Sequence, residues 1–351
     1  MSTPYDPSRS DSARPVYVPV AVPSRPGPLV RLFNLVQWCL VVMVVLALIG
    51  LAFNSDRLQT DAEDKLQERY HSLDKKGTLK VAIVEIEGAI LSGDQVKKQI
   101  DMIRNDPDVK AVVLRVDSPG GTVTASDYIY HHLRKLTTER KLPLVVSMGG
   151  MAASGGYYVS MACGDAQNVI FAEPTTWTGS IGVIIPHYNV AGLMETLKID
   201  EDSIKSGPLK QVGSFTKKMT PEERAVLESL VADSFARFKD IVLAGRPKLR
   251  NDQDTLAKAT TGQVFTAQQA VKLGLVDKEG FLEDAIDRAI ELASLDKSTT
   301  KVVRYHRPES LVESLVGLQA RPPLGDLRAL LDLATPRAYY LFAVPGAEVR
   351  R

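Results

Sequence analysis

Three runs of apolar residues, each followed by a helix-patterned or glycine-rich segment, constrain the fold of this chain more than any other feature. LKVAIVEIEG (79–88), AVVLRVD (111–117) and LPLVVSMG (142–149) are apolar almost throughout instead of alternating with polar residues. Runs of that kind suit strands buried on both faces, as in a parallel sheet covered by helices. QVKKQIDMIRND (95–106) and residues 124–140 carry helical spacing, and two later segments, about 220–244 and 281–295, are amphipathic. Strands alternating with helices at this rhythm predict βαβ units, hence an α/β fold with a parallel sheet and flanking helices. There is one set of such units and no internal repeat.

The sequence before the first strand is of a different kind. Residues 1–30 hold seven prolines and almost no apolar periodicity, which reads as a disordered tail. Leu32 to Phe53 then runs 22 residues without a charge. As a helix it measures about 33 Å, enough to cross a hydrocarbon layer of about 30 Å. It starts too late and runs too long for a cleaved signal peptide, so residues 31–54 are expected to form one N-terminal transmembrane helix. Arg14, Arg25 and Arg31 before the span balance Arg57, Lys65 and Arg69 after it, so charge leaves its orientation open. Residues 55–77 are highly charged and read as a helical stalk; the globular domain is expected over 78–295 and a C-terminal tail over 296–351.

Composition removes several function classes. The chain has 43 basic against 42 acidic residues, without the basic field that nucleic-acid binding needs. Two cysteines in 351 residues exclude a disulfide scaffold and any Cys-rich zinc or iron–sulfur site.

Chemistry concentrates in the segments between the elements. Asp117-Ser118-Pro119-Gly120-Gly121 follows the second strand, where glycines permit positive φ and free N–H groups; a tight βα turn reads the same way. Met148 to Tyr158 follows the third strand, and seven of its eleven residues are Gly, Ala or Ser. Such small residues suit close backbone packing or the approach of a substrate to the main chain. Ser154, at a strand-to-helix junction, is the candidate nucleophile, although Ala152 stands where the esterase-type G-x-S-x-G elbow has glycine. The histidines offer no clear base: His71 and His306 lie outside the core, His131 and His132 on a charged helix, and His187 lacks an orienting carboxylate. A lysine can serve in a Ser–Lys dyad if burial keeps it neutral, at a cost of roughly 4 kcal/mol. Ile204-Lys205-Ser206-Gly207-Pro208-Leu209-Lys210 supplies two candidates, Lys205 and Lys210.

DSPGG (117–121), MAASGGYY (151–158), TGSIGV (178–183), SGPLK (206–210) and FTAQQAVKLGLVD (265–277), in that order, resemble the signal peptide peptidase A family. These are serine peptidases of family S49 with a ClpP/crotonase-like fold, and the resemblance covers about residues 78–295. It implies Ser154 as nucleophile and Lys210, at the end of the SGxxK pattern, as general base in preference to Lys205. It further implies an oxyanion hole from the N–H groups of Gly121 and Gly155, and Ser180 supporting the lysine. The reaction so implied needs no metal, nucleotide or organic cofactor. The expected substrates are released signal peptides and other apolar peptides. The expected setting is a single-pass protein of the cytoplasmic (inner) membrane, embedded in the lipid bilayer, with its catalytic domain extracytoplasmic. Single-unit relatives further imply a homo-octamer whose serine and lysine meet across a subunit boundary. Broader quality control of membrane proteins, an acyl-CoA enzyme of the crotonase type and a non-catalytic membrane scaffold are the alternatives. The stretch Ala162–Asn168 is a few residues longer than the family pattern. The apolar end AYYLFAVPG (338–346) reads as a flexible tail or as a segment that docks on a neighbouring protomer.

Overall fold

The computed structural model describes residues 37, 38, 40, 42, 43, 66–306 and 338–341. Contacts divide the chain into Met1–Ala62 and Glu63–Arg351. In the first unit, Gln37, Trp38, Leu40, Val42 and Met43 are helical; the rest of the expected span, and the proline-rich tail, lie outside the described residues. Among the described residues no helix is long and apolar enough to cross a membrane.

The second unit is built on the expected rhythm. In chain order it contains β1 (Gln67–Leu73), β2 (Leu79–Glu87), α1 (Asp94–Asn105), β3 (Val109–Ser118), β4 (Gly120–Thr122), α2 (Val123–Arg140), β5 (Leu144–Ala153) and α3 (Gly155–Ser160). There follow β6 (Ile170–Ala172), β7 (Trp177–Gly179), α4 (Ala191–Leu197), α5 (Pro221–Gly245), α6 (Gln253–Ala259), β8 (Val264–Thr266), α7 (Ala267–Lys272), β9 (Lys278–Glu279), α8 (Leu282–Leu292), β10 (Thr300–His306) and β11 (Tyr339–Leu341). The main sheet runs β1-β10-β2-β3-β5-β6-β9, with β7 joining β5 and β8 joining β7. Its pairs are parallel except β1 with β10 and β7 with β8. Val81–Val84, Ala111–Leu114 and Val145–Val146 are wholly buried, which is why these strands read as continuous apolar runs: helices cover both faces.

Local chemistry sets the helix ends. Thr122 caps α2 by accepting the Ala125 N–H (3.2 Å), and Lys141 stops the helix in the left-handed region at φ 52°. Arg140, in the last turn, donates to the carbonyls of Ile103, Arg104, Asp106 and Val109, tying α2 to the α1–β3 turn. Thr220 and Glu223 form a reciprocal capping box on α5, with Pro221 at its first position.

Two expectations change. Residues 67–73, read as part of a helical stalk, are an edge strand antiparallel to β10. An edge strand tolerates charge on its solvent side, and Glu68 is bonded to Lys80 (2.7 Å), which also holds Asp106 (2.8 Å). The tail set to begin at 296 instead contributes β10, inserted between β1 and β2, with Val302, Val303 and Tyr305 in the core.

Candidate active site

The C-terminal ends of β3, β5 and β7 bring the small-residue segments together, at the edge of a parallel sheet where ligands ordinarily bind. Ser154 stands between β5 and α3 at φ 54° and ψ −112°, a conformation that costs a residue with a Cβ about 1–3 kcal/mol. Two main-chain bonds hold it there. Its N–H donates to the Gly179 carbonyl (2.8 Å), and its carbonyl accepts the Tyr158 N–H (2.8 Å). The residue is only 1% exposed.

Ser180 stands beside it. Ala153 pairs with Gly179 across β5 and β7, so the next residues, Ser154 and Ser180, leave adjacent parallel strands spaced about 4.8 Å apart. Ser180 is also at positive φ (48°), and its N–H donates to the Gln263 carbonyl (2.7 Å). The longer stretch at Ala162–Asn168 closes as a 3-10 turn and bends ahead of β6 and leaves this adjacency intact.

The glycines are required by proximity. A Cβ on Gly121 would stand 2.0 Å from the Ile90 carbonyl oxygen, and one on Gly155 would stand 2.5 Å from Ser126 Oγ and 3.1 Å from Gly121 N. Gly121 and Gly155 therefore pack main chain to main chain. The N–H of Gly155, at the first position of α3, has no acceptor within its helix. Gly120, at φ 97°, turns the chain, and Ser118 locks that turn by donating to the Gly88 carbonyl (2.6 Å) and accepting the Gly120 N–H (3.1 Å). Ser118 and Ser126 were not singled out from the sequence; the DSPGG motif contained the signal for the first.

Lys210 is not in this cluster. It lies on a 3-10 turn, Pro208–Gln211, with an exposed side chain, whereas Ser154 and Ser180 are buried. Lys205 donates to Gln211 Oε1 (2.6 Å), which leaves it engaged locally. His187 meets the Ser214 carbonyl (3.2 Å), and His131 and His132 pack edge to face on α2. Among the described residues no group of three or more His, Cys, Asp or Glu is placed to hold a metal ion. The arrangement offers a hydroxyl on strained backbone, a second hydroxyl beside it, and main-chain N–H groups of the kind that stabilise an oxyanion.

The model of peptidase family S49 matches residues 137–296, and that of Clp protease matches residues 67–178. A putative protease of Synechocystis is 39% identical over 240 residues, 68% of this chain and 83% of the relative. Protease 4 of Salmonella typhi is 38% identical over 72% of this chain, and a putative signal peptide peptidase SppA of Enterococcus faecium 36% identical over 59%. The matched regions span 40% and 57% of those two relatives.

Proposed function

The chain belongs to peptidase family S49, and from that premise we propose that it is a membrane-anchored serine endopeptidase with a Ser154–Lys210 dyad that cuts apolar peptides such as released signal peptides. The observation that carries this reading is the convergence of Ser154, Ser180, Gly121 and Gly155 at one end of the sheet.

In this mechanism neutral Lys210 Nζ takes the proton of Ser154 Oγ as that oxygen attacks the substrate carbonyl carbon. The carbonyl oxygen becomes an anion held by the N–H groups of Gly121 and Gly155. The lysine then gives its proton to the leaving amine, and a water molecule, deprotonated by the same lysine, hydrolyses the Ser154 ester. Ser180, adjacent to Ser154, would donate to or accept from the lysine and keep it aimed.

Lys210 must come from another copy in this reading. Its loop carries exposed apolar side chains at Ile204, Leu209 and Phe215, the kind of surface a second copy covers, and enclosure would strip the lysine of water and favour its neutral form. A homo-octamer closing a ring of such sites is the assembly we propose, anchored in the cytoplasmic membrane with the catalytic domain on the extracytoplasmic side. A groove of about 960 Å³ lined by Leu91, Val123, Ile185, Leu227 and Leu230 continues from β4, which supports apolar substrates.

Mixing tests the dyad. Chains with Ser154→Ala or Lys210→Ala alone should not hydrolyse a Leu/Ala-rich peptide. Co-assembly of the two should restore part of the activity, because some interfaces then pair an intact serine with an intact lysine. Activity in the Ser154→Ala chain alone refutes the mechanism, and no restoration in a verified mixed assembly refutes the shared site.

A further inference from the structure

β5 changes register on its way to Ser154. It pairs with β3 through Val116 opposite Met148 and next through Ser118 opposite Ala152. One residue of β3, Asp117, therefore faces three of β5, namely Gly149, Gly150 and Met151. Extra residues in one strand of a pair make a bulge and leave main-chain groups without a strand partner. Had the earlier register continued, Ser154 would stand level with Thr122. After the bulge it stands level with Gly120, about 6.6 Å further back along the strand. The slip is an even number of residues, so side chains keep their faces. Close packing agrees with the shifted register: a Cβ on Gly155 would stand 3.1 Å from both Gly120 Cα and Gly121 N, and one on Gly156 2.9 Å from the Ser118 carbonyl oxygen. The bulge thus brings the serine turn beside the glycines proposed as the oxyanion hole.

Side chains hold the bulge from both edges. Asp117 Oδ1 accepts the Met151 N–H (3.0 Å), so a carboxylate stands where the strand partner is missing. A hydrogen bond to an ionised acceptor is stronger than one between neutral groups. Gly149 leaves the carboxylate room, since a Cβ there would stand 3.1 Å from Asp117 Oδ2 and 3.0 Å from Arg115 Nη2. At the other edge the neighbour of β5 changes at the same point, from Ala172 of β6 opposite Met148 to Trp177 of β7 opposite Met151. Thr176, wholly buried in the turn between those strands, donates to the Gly149 carbonyl (2.6 Å). Thr178, also wholly buried, donates to the Ala152 carbonyl (2.7 Å). Thr176 therefore fixes the start of the bulge and Asp117 its end, three residues before Ser154.

We propose that Asp117 and Thr176 are positioning residues of the peptidase: they latch the bulge in β5, and the latched bulge sets Ser154 Oγ against the N–H groups of Gly121 and Gly155. The consequence for catalysis rests on the peptidase reading; the latch itself rests on the register. Both side chains act through the main chain and not on the substrate. Releasing either lets Gly149–Met151 relax along the strand, and a displacement of about 1 Å in an attacking atom lowers the rate on the order of a hundredfold.

The test is hydrolysis of a Leu/Ala-rich peptide by the assembled full chain, read as kcat and KM separately, with amide hydrogen exchange of residues 149–153 on the same preparations. Asp117→Ala should lower kcat at least tenfold and leave KM within threefold, because the nucleophile moves while the peptide-binding surface does not. Asp117→Asn keeps an oxygen to accept the Met151 N–H and should stay within threefold of the parent in both constants. Thr176→Val and Thr176→Ser should repeat that contrast, the first losing the hydroxyl and the second keeping it; this pair carries the test if the Asp117→Ala chain does not assemble. Exchange at Met151 should quicken at least tenfold in Asp117→Ala and stay parental in Asp117→Asn. Parental kcat in both Asp117→Ala and Thr176→Val overturns the proposal, as does an Asp117→Asn chain as slow as Asp117→Ala. Unchanged exchange in Asp117→Ala overturns the latch. Faster exchange in that chain, with no hydrolysis by the parent, refutes the peptidase reading and leaves the latch standing.

Discussion

Gly155→Ala separates catalytic geometry from stability. The new methyl carbon would stand 2.5 Å from Ser126 Oγ, 3.1 Å from the Gly120 Cα and 3.1 Å from Gly121 N. Ser126 can rotate away only by giving up its bond to the Thr122 carbonyl (2.9 Å), and the two main-chain contacts cannot rotate at all. The relief must therefore come from moving β4 away from α3, which separates the N–H groups of Gly121 and Gly155. Overpacking of this size costs about 1–3 kcal/mol, and alanine returns up to about 1 kcal/mol in helix propensity. The net loss of stability is about 0–3 kcal/mol, a fall in Tm of no more than about ten degrees in a domain of this size. Losing one oxyanion donor, by contrast, lowers kcat on the order of 10²–10³-fold. Peptide hydrolysis and thermal melts on the same assembled preparation should show the large effect in kcat and the small one in Tm. Ser126→Ala added to Gly155→Ala should recover part of the stability and little of the activity, because the backbone contacts persist. A Gly155→Ala chain with kcat within threefold of the parent would refute the assignment of this N–H.

Three further outcomes follow from groups away from the cleft. Arg246, 7% exposed, bonds Asp277 (3.1 Å), whose other oxygen accepts the N–H groups of Val169 and Ile170; Arg246→Met should cost about 3 kcal/mol in urea unfolding, and an unchanged midpoint would show the pair to be dispensable. Burial pushes the Asp106 carboxyl up, but hydrogen bonding from Lys80 and from the Asp108 N–H outweighs it and holds the group below its ordinary value. A depressed folded value means that this stabilisation is complete above about pH 4 and is lost as pH falls through the folded value, so the stability gap between parent and Lys80→Met should narrow from pH 6 to pH 3. A gap that stays constant contradicts that linkage. Burial likewise pushes the Cys163 thiol up to about 11, so in a Cys39→Ser chain it should react with a thiol reagent at pH 8 far more slowly when folded than in denaturant; comparable rates would place the thiol in solvent.

The division between sequence and tertiary structure falls along the range of the interactions. The continuous apolar runs determined β2, β3 and β5 because a strand covered on both faces has little choice of residue, and the helical spacing of 95–106 and 124–140 did the same for α1 and α2. DSPGG and MAASGGYY mark where the main chain must approach itself closely, so Gly121, Ser154 and Gly155 are legible in the sequence itself. Other features depended on partners far along the chain. QERYHSL became an edge strand instead of a stalk helix because KVVRYH, more than 200 residues later, lies beside it, and the alternation in that second segment was the only local sign. Ser154 and Ser180 became neighbours through the pairing of β5 with β7, which motif order alone does not fix. Tyr340 had no local signal beyond an apolar tail. It lies opposite Gly121 in the β11–β4 pair and against Tyr158, Ser234 and Phe238, which only the folded sheet and α5 bring around one ring.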